Sequence, residues 1–288
     1  MKVLVLGGDG MLGHELFLQL RGRHETRVTL RQPLAAYSGR GLFDAGNAFA
    51  GIDVRNPAGV ESVLAGFQPD AVVNAVGIVK QRPESEDAIA SIEVNSLLPH
   101  RLALACRPTG ARLIHLSTDC VFSGSRGGYR EEDTPDPVDI YGRSKLMGEV
   151  SGEGALTLRT SMIGLGLQRK TSLVDWFVAQ SGRVQGYRNA IFSGLTTNEL
   201  ARVIGNLLEK HAQASGLYHL SAAPISKLEL LAKLRERLAL NVDLVPVDEP
   251  RIDRSLDSTR FRRVFGYAAP SWDEMLDALA GQIRRKAA

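Results

Sequence analysis

The chain has 288 residues, of which 44% are hydrophobic and 23% are charged, and its net charge is +3. These values are ordinary for a globular protein and suit one large α/β domain or one domain with a smaller lobe. No basic cluster rises above this background, which argues against a nucleic acid partner. Cys106 and Cys120 have no metal-type spacing, so we expect neither a disulfide framework nor an oxidising compartment. Without a signal pattern or a long apolar run, we expect a cytoplasmic protein with no membrane partner.

Apolar runs of strand length alternate with segments of helical period through the first 160 residues. The runs are apolar throughout, which indicates strands that are covered on both faces. This alternation predicts an α/β fold, with a Rossmann-type, doubly wound parallel sheet in residues 1–160. The predicted strands are 2–6, 26–30, 51–54, 70–76, 111–117 and 155–160, and the predicted helices among them are 11–22, 57–67 and 93–106.

The pattern loosens after residue 160, and no internal repeat is found. We expect residues 161–288 to form mainly a smaller C-terminal substrate-binding lobe, interleaved with the first part of the chain. Ser226 is a predicted N-cap. The predicted elements here are a strand at 216–221 and helices at 172–180, 197–211, 226–240 and 271–286.

The first predicted strand leads directly into the glycine cluster "GGDGMLG" and a helix. Gly7, Gly10 and Gly13 have the spacing G-x-x-G-x-x-G. In this context one glycine permits a tight turn, another lets the backbone approach a pyrophosphate, and a third packs the helix against the strand. The helix N-terminus adds free N–H groups. The sequence therefore predicts a dinucleotide site that includes Met11 and Leu12. A tight turn without a ligand is the alternative.

The end of the second predicted strand bears on the choice of dinucleotide. It reads "VTLRQP", with Arg31 and no carboxylate for the ribose hydroxyls of NAD. An arginine can pair bidentately with a 2′-phosphate, so NADP(H) is preferred and NAD(H) remains an alternative. Arg31 could also be a solvated surface residue.

Two further strand ends are expected beside the cofactor. Asp53 and Val54 end the third predicted strand, where an adenine could be contacted. Asn74, Ala75 and Val76 end the fourth. Both segments could equally be structural, because strand ends need turn residues in any case.

A hydroxyl, a phenol and an ammonium follow the fifth predicted strand. Thr118 follows that strand, on the edge of the sheet that carries the glycine cluster. Tyr141 and Lys145 are four residues apart and share a face if 140–150 is helical. A tyrosine can donate a proton to a carbonyl that is being reduced, a lysine favours its phenolate and lowers its pKa, and a threonine can hold the carbonyl oxygen. No metal is needed. Cys120 is interpreted as a packing residue.

With these motifs in place, the chain resembles the extended short-chain dehydrogenase/reductase superfamily and, more closely, the dTDP-4-dehydrorhamnose reductase family. The resemblance is carried by "GGDGMLG", "HLSTDCVFSG", "YREEDTPDPVDIYGRSKLMGE" and "LRTSMIG". It implies Thr118, Tyr141 and Lys145 as the catalytic set and a nucleotide-linked 4-keto-6-deoxysugar as substrate. The substrate-binding residues that it implies are Val121, Phe122, Thr160, Ser161 and Arg254.

The chain departs from this family at positions that face the substrate. Cys120 stands where the family commonly has tyrosine, and Ser123 stands where it has aspartate. The segment "VQGYRNAIFSGLTT" lacks the family's usual "D-Q-x-G-x-P-T". The identity of the sugar and of the base is therefore left open.

Three functions remain in competition. The leading hypothesis is an NADPH-dependent reductase of a nucleotide-linked ketosugar that serves cell-surface polysaccharide synthesis. The second is an NAD(P)-dependent nucleotide-sugar epimerase on the same scaffold. The third is a non-catalytic, cofactor-binding regulatory subunit, against which the presence of Tyr141 and Lys145 argues. A homodimer is compatible with the fold.

Overall fold

The computed structural model describes residues 1–79, 87–168 and 172–287. The strands are β1 Lys2–Leu6, β2 Glu25–Thr29, β3 Ala48–Phe49, β4 Ala71–Asn74, β5 Arg112–Thr118, β6 Ala155–Thr160, β7 Met162–Ile163, β8 Gly182–Tyr187, β9 Ala190–Phe192, β10 Leu195–Thr196, β11 Gly216–His219, β12 Ile225–Ser226, β13 Val242–Val247 and β14 Ile252–Asp253. The α-helices are α1 Gly13–Leu20, α2 Pro57–Phe67, α3 Ala88–Ser91, α4 Leu98–Cys106, α5 Ile140–Met147, α6 Leu173–Val178, α7 Thr197–Lys210, α8 Lys227–Leu238, α9 Thr259–Phe265 and α10 Trp272–Ala287.

Seven of these strands form one parallel sheet in the order β3-β2-β1-β4-β5-β6-β11. The chain winds outward from β1 in one direction through β2 and β3, and in the other through β4, β5 and β6. This order confirms the predicted doubly wound sheet. The direction of winding reverses between β1 and β4, and ligands of such sheets bind in the crevice beyond the strand ends at that point.

Both faces of the sheet are covered, as the uniformly apolar strands predict. In β1, Val3 and Val5 pack in the cluster that includes side chains of α1, α7 and α10. Leu4 and Leu6 point to the opposite face and pack in the cluster of α2 and α4. Since successive strand residues point to opposite faces, an apolar residue at every position is what two helical layers require.

The prediction of a third strand at 51–54 is wrong. The third strand is Ala48–Phe49, two residues that pair with β2 at the edge of the sheet. The chain then turns at Gly51, whose φ is +73°, and two backbone bonds continue the contact, from Gly51 N to Gln32 O at 3.2 Å and from Ile52 N to Leu30 O at 2.9 Å. Asp53 and Val54 therefore follow the sheet edge and do not end a strand.

The C-terminal part of the chain contributes to the main sheet and also builds a smaller sheet of its own. The predicted strand at 216–221 is β11, which pairs with β6. β9 lies between β12 and β14 in a three-stranded sheet, and α8 begins at the end of β12. The predicted N-cap is confirmed, because Ser226 Oγ accepts a hydrogen bond from Glu229 N at 3.1 Å. Within the described ranges, no helix has the length and apolar character needed to cross a bilayer.

Candidate active site

The glycine cluster forms a tight turn between β1 and α1. Gly7 has a φ of +80°, which favours glycine, and its oxygen accepts a hydrogen bond from Gly10 N at 2.9 Å. A Cβ on Gly13 would lie 1.9 Å from Gly7 O, so the helix can approach the turn this closely only without a side chain. A Cβ on Gly10 would lie 3.1 Å from the same oxygen. This geometry matches the predicted roles of a turn glycine and a packing glycine.

The N-terminus of α1 is open to an anion. Its N-cap, Leu12, has an apolar side chain that cannot accept hydrogen bonds from the first helical N–H groups. These groups and the backbone of the turn are the elements that bind a pyrophosphate in sheets of this type. Asp9, in the same turn, is fixed by the buried Tyr37, whose hydroxyl donates to Asp9 Oδ2 at 2.9 Å. The residues present therefore fit a dinucleotide.

Arg31 lies where the prediction requires it, just beyond β2. Its side chain is exposed. Asp53 is near enough for the charge of Arg31 to act on its carboxylate. Arg55 holds the pKa of Asp53 at about 2 mainly through hydrogen bonds, the shortest of which is 2.6 Å, and Arg31 contributes to the lowering. Arg31 and Asp53 thus lie near each other, on the β2 side of the sheet.

The segment after β4 lies against the glycine turn. A Cβ on Gly7 would be 2.9 Å from Val76 Cγ2 and 3.5 Å from the carbonyl carbon of Ala75. Asn74 is buried, and its amide donates to His115 Nδ1 at 3.1 Å and accepts from Val76 N at 3.2 Å. Ala75 and Val76 therefore border the path expected for a cofactor, while the Asn74 side chain holds the strand end in shape. Their role in binding stays a prediction.

Thr118, Tyr141 and Lys145 come together at the carboxyl end of β5. Thr118 ends that strand, and its hydroxyl is near enough to Tyr141 to lower the pKa of the phenol through a hydrogen bond. Tyr141 and Lys145 both lie in α5, one helical turn apart, as predicted. The ammonium of Lys145 is buried and donates to Leu116 O of β5. Asp139 caps this helix by accepting from Gly142 N at 2.8 Å.

The pKa shifts of this trio differ in part from the expectation. Burial raises the pKa of Tyr141 above its usual value, the nearby Asp119 adds to the rise, and a hydrogen bond from Thr118 opposes it. The net lowering that was expected from Lys145 is therefore not found. Burial also lowers the pKa of Lys145 to about 8, against the effect of Glu149. The phenol is thus held as an acid at neutral pH.

A buried network of hydrogen bonds and one ion pair lies at the C-terminal end of β5. Ser117 Oγ donates to Glu149 Oε1 at 2.6 Å, and Arg159 holds the same carboxylate with two bonds of 2.8 Å. Arg159 also lies 3.3 Å from His219 Nε2, and His219 Nδ1 is bonded to Tyr129 O at 3.0 Å. Since an unpaired charge at this depth is costly, the network fixes β5 and β6 against each other.

Four of the residues predicted to bind substrate lie near Thr118, two at the end of the neighbouring strand β6 and two in a buried apolar cluster. Thr160 pairs with Thr118 in the sheet register, and Ser161 follows it. Val121 and Phe122 are completely buried, and the Phe122 ring stacks on Tyr129 at 4.2 Å. Their side chains therefore pack in an apolar cluster beneath the site. The binding roles of these residues stay a prediction.

Arg254 lies beside the segment that follows Thr118, and its role in substrate binding stays a prediction. Its Nε donates to Phe122 O at 2.8 Å, and its charge lowers the pKa of Asp119, although burial raises that pKa overall. Burial raises the pKa of Cys120 to about 12, so its thiol stays protonated, which agrees with a packing residue. Among residues 1–79, 87–168 and 172–287, no three His, Cys, Asp or Glu side chains are grouped to hold a metal ion.

Comparison with known proteins identifies the family to which these features belong. The family described as the RmlD substrate binding domain matches residues 1–285. The chain is a member of the RmlD substrate-binding domain family. The dTDP-4-dehydrorhamnose reductase of Salmonella typhimurium is 27% identical over 300 residues, which cover 95% of each chain. The methionine adenosyltransferase 2 subunit beta of Danio rerio is 26% identical over 263 residues, which cover 86% of this chain and 77% of that one.

Solved structures share the fold. The structure of the Bacillus anthracis dTDP-4-dehydrorhamnose reductase in complex with NADP superposes with a TM-score of 0.81, at 21% identity, over 98% of this chain and 99% of that one. The resemblance recognised in the sequence motifs is therefore confirmed at the level of the RmlD family and of its fold.

Two residues of this RmlD-family chain contribute to the site without having been predicted. Asn95 lies in a π-helix, Ile92–Leu97, and its amide bonds to both backbone groups of Ile78 at 3.0 Å and to Ser144 Oγ at 3.1 Å. It thus ties α5 to the segment after β4. Lys227, the first residue of α8, has a charge that acts on Asp119. In the sequence, Asn95 lies within the predicted helix 93–106 and Lys227 follows the predicted N-cap Ser226, and neither position indicates a partner.

Proposed function

We propose that this chain is an NADPH-dependent reductase of a nucleotide-linked 4-keto-6-deoxysugar, similar to dTDP-4-dehydrorhamnose reductase. The observation that carries the proposal is the convergence of Thr118, Tyr141 and Lys145 at the end of β5, in the crevice that the glycine turn also borders. The Salmonella typhimurium relative bears the same activity in its name, and the Bacillus anthracis structure contains NADP. The exposed Arg31 beyond β2 supports a 2′-phosphate rather than free ribose hydroxyls.

Each member of the trio has a distinct task in this proposal. A reduced nicotinamide cofactor held at the glycine turn would supply a hydride for the carbonyl carbon. The Thr118 hydroxyl donates to Asp119 Oδ1 at 3.1 Å, and when substrate binds it turns this hydrogen bond to the carbonyl oxygen and fixes its position. Tyr141 gives its proton to the same oxygen as negative charge develops there. The Lys145 ammonium favours the phenolate that Tyr141 leaves behind, until solvent returns the proton.

The protonation state of Tyr141 is compatible with its proposed role. Burial raises the pKa of Tyr141, so the phenol carries a proton to donate at neutral pH. Reduction consumes that proton, whereas oxidation of an alcohol would need the phenolate. The protonated phenol is the state of Tyr141 that reduction of a ketone requires.

A second candidate, the cofactor-binding regulatory subunit, is favoured by one comparison. The Danio rerio relative is named as a subunit of methionine adenosyltransferase. Against it, the present chain keeps the tyrosine, the lysine and the threonine in one place, an arrangement that a subunit without turnover does not need. The epimerase remains an alternative. It is distinguished from the reductase by whether the purified protein retains its nicotinamide cofactor.

The test is a substrate panel. Oxidation of NADPH and NADH is followed with nucleotide-linked 4-ketosugars that differ in base and sugar, and the purified protein is examined for retained cofactor. Turnover of one ketosugar with NADPH supports the proposal. Tightly retained NAD with interconversion of two sugars would favour the epimerase, and binding of cofactor without any turnover would favour the regulatory subunit.

A further inference from the structure

The glycine turn is fastened to the end of β2 by hydrogen bonds. Gly8 N donates to Thr29 O at 2.9 Å, and Gly7 N donates to Thr29 Oγ1 at 3.1 Å. A Cβ on Gly8 would lie 2.5 Å from Val28 Cβ, so the turn comes this close to β2 only without a side chain at that position. Arg31 stands two residues beyond Thr29. The backbone of Arg31 is therefore held next to the glycine turn.

One buried hydroxyl joins these two segments a second time. Tyr37 is only 1% exposed. Its hydroxyl donates to Asp9 Oδ2 at 2.9 Å and accepts a hydrogen bond from Gln32 N at 3.3 Å. Asp9 belongs to the glycine turn, and Gln32 directly follows Arg31. The phenol therefore holds the carboxylate of the turn beside the segment that carries the arginine.

The position of this hydroxyl is fixed by packing. Tyr37 lies in a 3₁₀ helix, and its ring meets the ring of Phe43 edge-on, with centres 5.8 Å apart. Phe43 in turn contacts Phe17 of α1, with ring centres 5.6 Å apart. Gln168 Nε2 donates to Ala36 O at 2.9 Å and holds the backbone next to Tyr37. Since both the ring and its backbone are held, the phenol is a rigid anchor for the carboxylate.

The Asp9 carboxylate stands where a negative charge is unfavourable for NADP. The backbone of its turn is expected to bind an anion, and the end of β2 is where the 2′-phosphate is expected. A carboxylate that turned freely there would repel the phosphate. It could also pair with Arg31 and so compete with the phosphate for the guanidinium. The hydrogen bond from the buried Tyr37 gives the carboxylate a different partner.

We propose that Tyr37 is a positioning residue for the 2′-phosphate of NADP(H), because its hydroxyl restrains the Asp9 carboxylate and so leaves Arg31 to the phosphate. This inference rests on the cofactor named in the proposed function. It deepens that assignment, since neither Tyr37 nor Asp9 binds the phosphate itself. Tyr37 acts through the charge of Asp9, so its effect is confined to ligands that carry a 2′-phosphate.

The test compares two cofactors in two backgrounds. NADPH and NADH are titrated by fluorescence into the wild type, Tyr37→Phe, Asp9→Asn and the double variant. Tyr37→Phe keeps the ring and removes the hydroxyl, and it should weaken NADPH by about 5- to 50-fold and NADH by less than about twofold. In the Asp9→Asn background, the same substitution should weaken NADPH by less than about twofold, because the amide carries no charge.

Cofactor fragments give the second readout. Adenosine 2′,5′-bisphosphate and 5′-AMP differ only in the 2′-phosphate, and calorimetry measures their affinities without nicotinamide or turnover. Tyr37→Phe should weaken the bisphosphate by a factor similar to that for NADPH and leave 5′-AMP unchanged. Tyr187→Phe removes an exposed phenol in β8 and is the matched control, which should change none of these affinities. Urea unfolding of each variant checks that the titrated protein is folded.

Three results would overturn the role of Tyr37. They are an unchanged NADPH affinity in Tyr37→Phe, equal losses for NADPH and NADH, and a loss of the same size in the Asp9→Asn background. The last result would make Tyr37 a merely structural residue of the turn. If no ketosugar is reduced but the expected changes in affinity are found, the proposed function fails and the role of Tyr37 stands.

Discussion

Replacing Gly10 with alanine would add one methyl group on the side of the glycine turn where a pyrophosphate is expected. That Cβ would lie 3.1 Å from Gly7 O, so the turn needs to give by only a few tenths of an ångström. The free energy of unfolding should therefore fall by about 1 kcal/mol or less. The methyl group would still hold the diphosphate of the cofactor away from the backbone. A hydrogen bond to a charged group contributes about 1.5–3 kcal/mol, so the loss of one backbone bond to the diphosphate should weaken NADPH binding by about 10- to 100-fold.

Two other alanine variants separate binding from folding. Gly13→Ala would place a Cβ 1.9 Å from Gly7 O, which forces α1 away from the turn and should cost about 1–3 kcal/mol of stability as well as the cofactor. Gly22→Ala meets no atom within 4 Å and should change neither. The assay is NADPH fluorescence titration alongside urea unfolding. NADPH affinity in Gly10→Ala within about twofold of the wild type would refute the assignment of this turn to the pyrophosphate.

Three further predictions concern charged and titrating groups. Arg31→Ala should weaken NADPH by about 10- to 100-fold and leave NADH unchanged in the same titration, and equal effects would remove the basis for the NADP preference. Burial lowers the pKa of Lys145 to about 8, so its ammonium is lost as pH rises through that value. The kcat/KM for reduction should therefore fall by about tenfold per pH unit above about pH 8. Lys145→Met should give a low kcat/KM that does not change with pH. Burial and the charge of Arg159 lower the pKa of His219 to about 4, so the unfolded chain, with a histidine pKa of about 6.5, binds more protons between these values. The free energy of unfolding should therefore decrease by up to about 3 kcal/mol as pH falls through this window. In urea titrations at pH 7 and 4.5, His219→Gln should lose less unfolding free energy between the two pH values than the wild type. An equal loss in both proteins would contradict the lowered pKa of His219.

The placement of Thr118, Tyr141 and Lys145 could be predicted because it depends on local structure. Tyr141 and Lys145 share a helix that Asp139 caps, and a spacing of four residues then places them on one face. Thr118 ends a long buried strand, and parallel strands bring their carboxyl ends to one edge. The sequence pattern is sufficient for each of these steps.

Other features depend on partners that are distant in the chain. The edge strand Ala48–Phe49 has only two residues, so its pairing with β2 leaves no periodic signal, while the apolar residues at 51–54 imitate one. Asn95 gains its role from Ile78 and Ser144, which the π-helix places within reach. The pKa of Tyr141 depends on how deeply the fold buries the phenol, a quantity that spacing does not contain.

The transfer of a proton from Tyr141 to the substrate is the central claim, and Tyr141→Phe tests it most directly. The variant removes one hydroxyl and keeps the ring, so NADPH affinity should stay within about twofold of the wild type. Single-turnover oxidation of NADPH with an accepted 4-ketosugar should slow by about 100- to 10,000-fold, the usual contribution of a general acid. A rate equal to that of the wild type, with the cofactor bound, would contradict the assignment of Tyr141 as the acid.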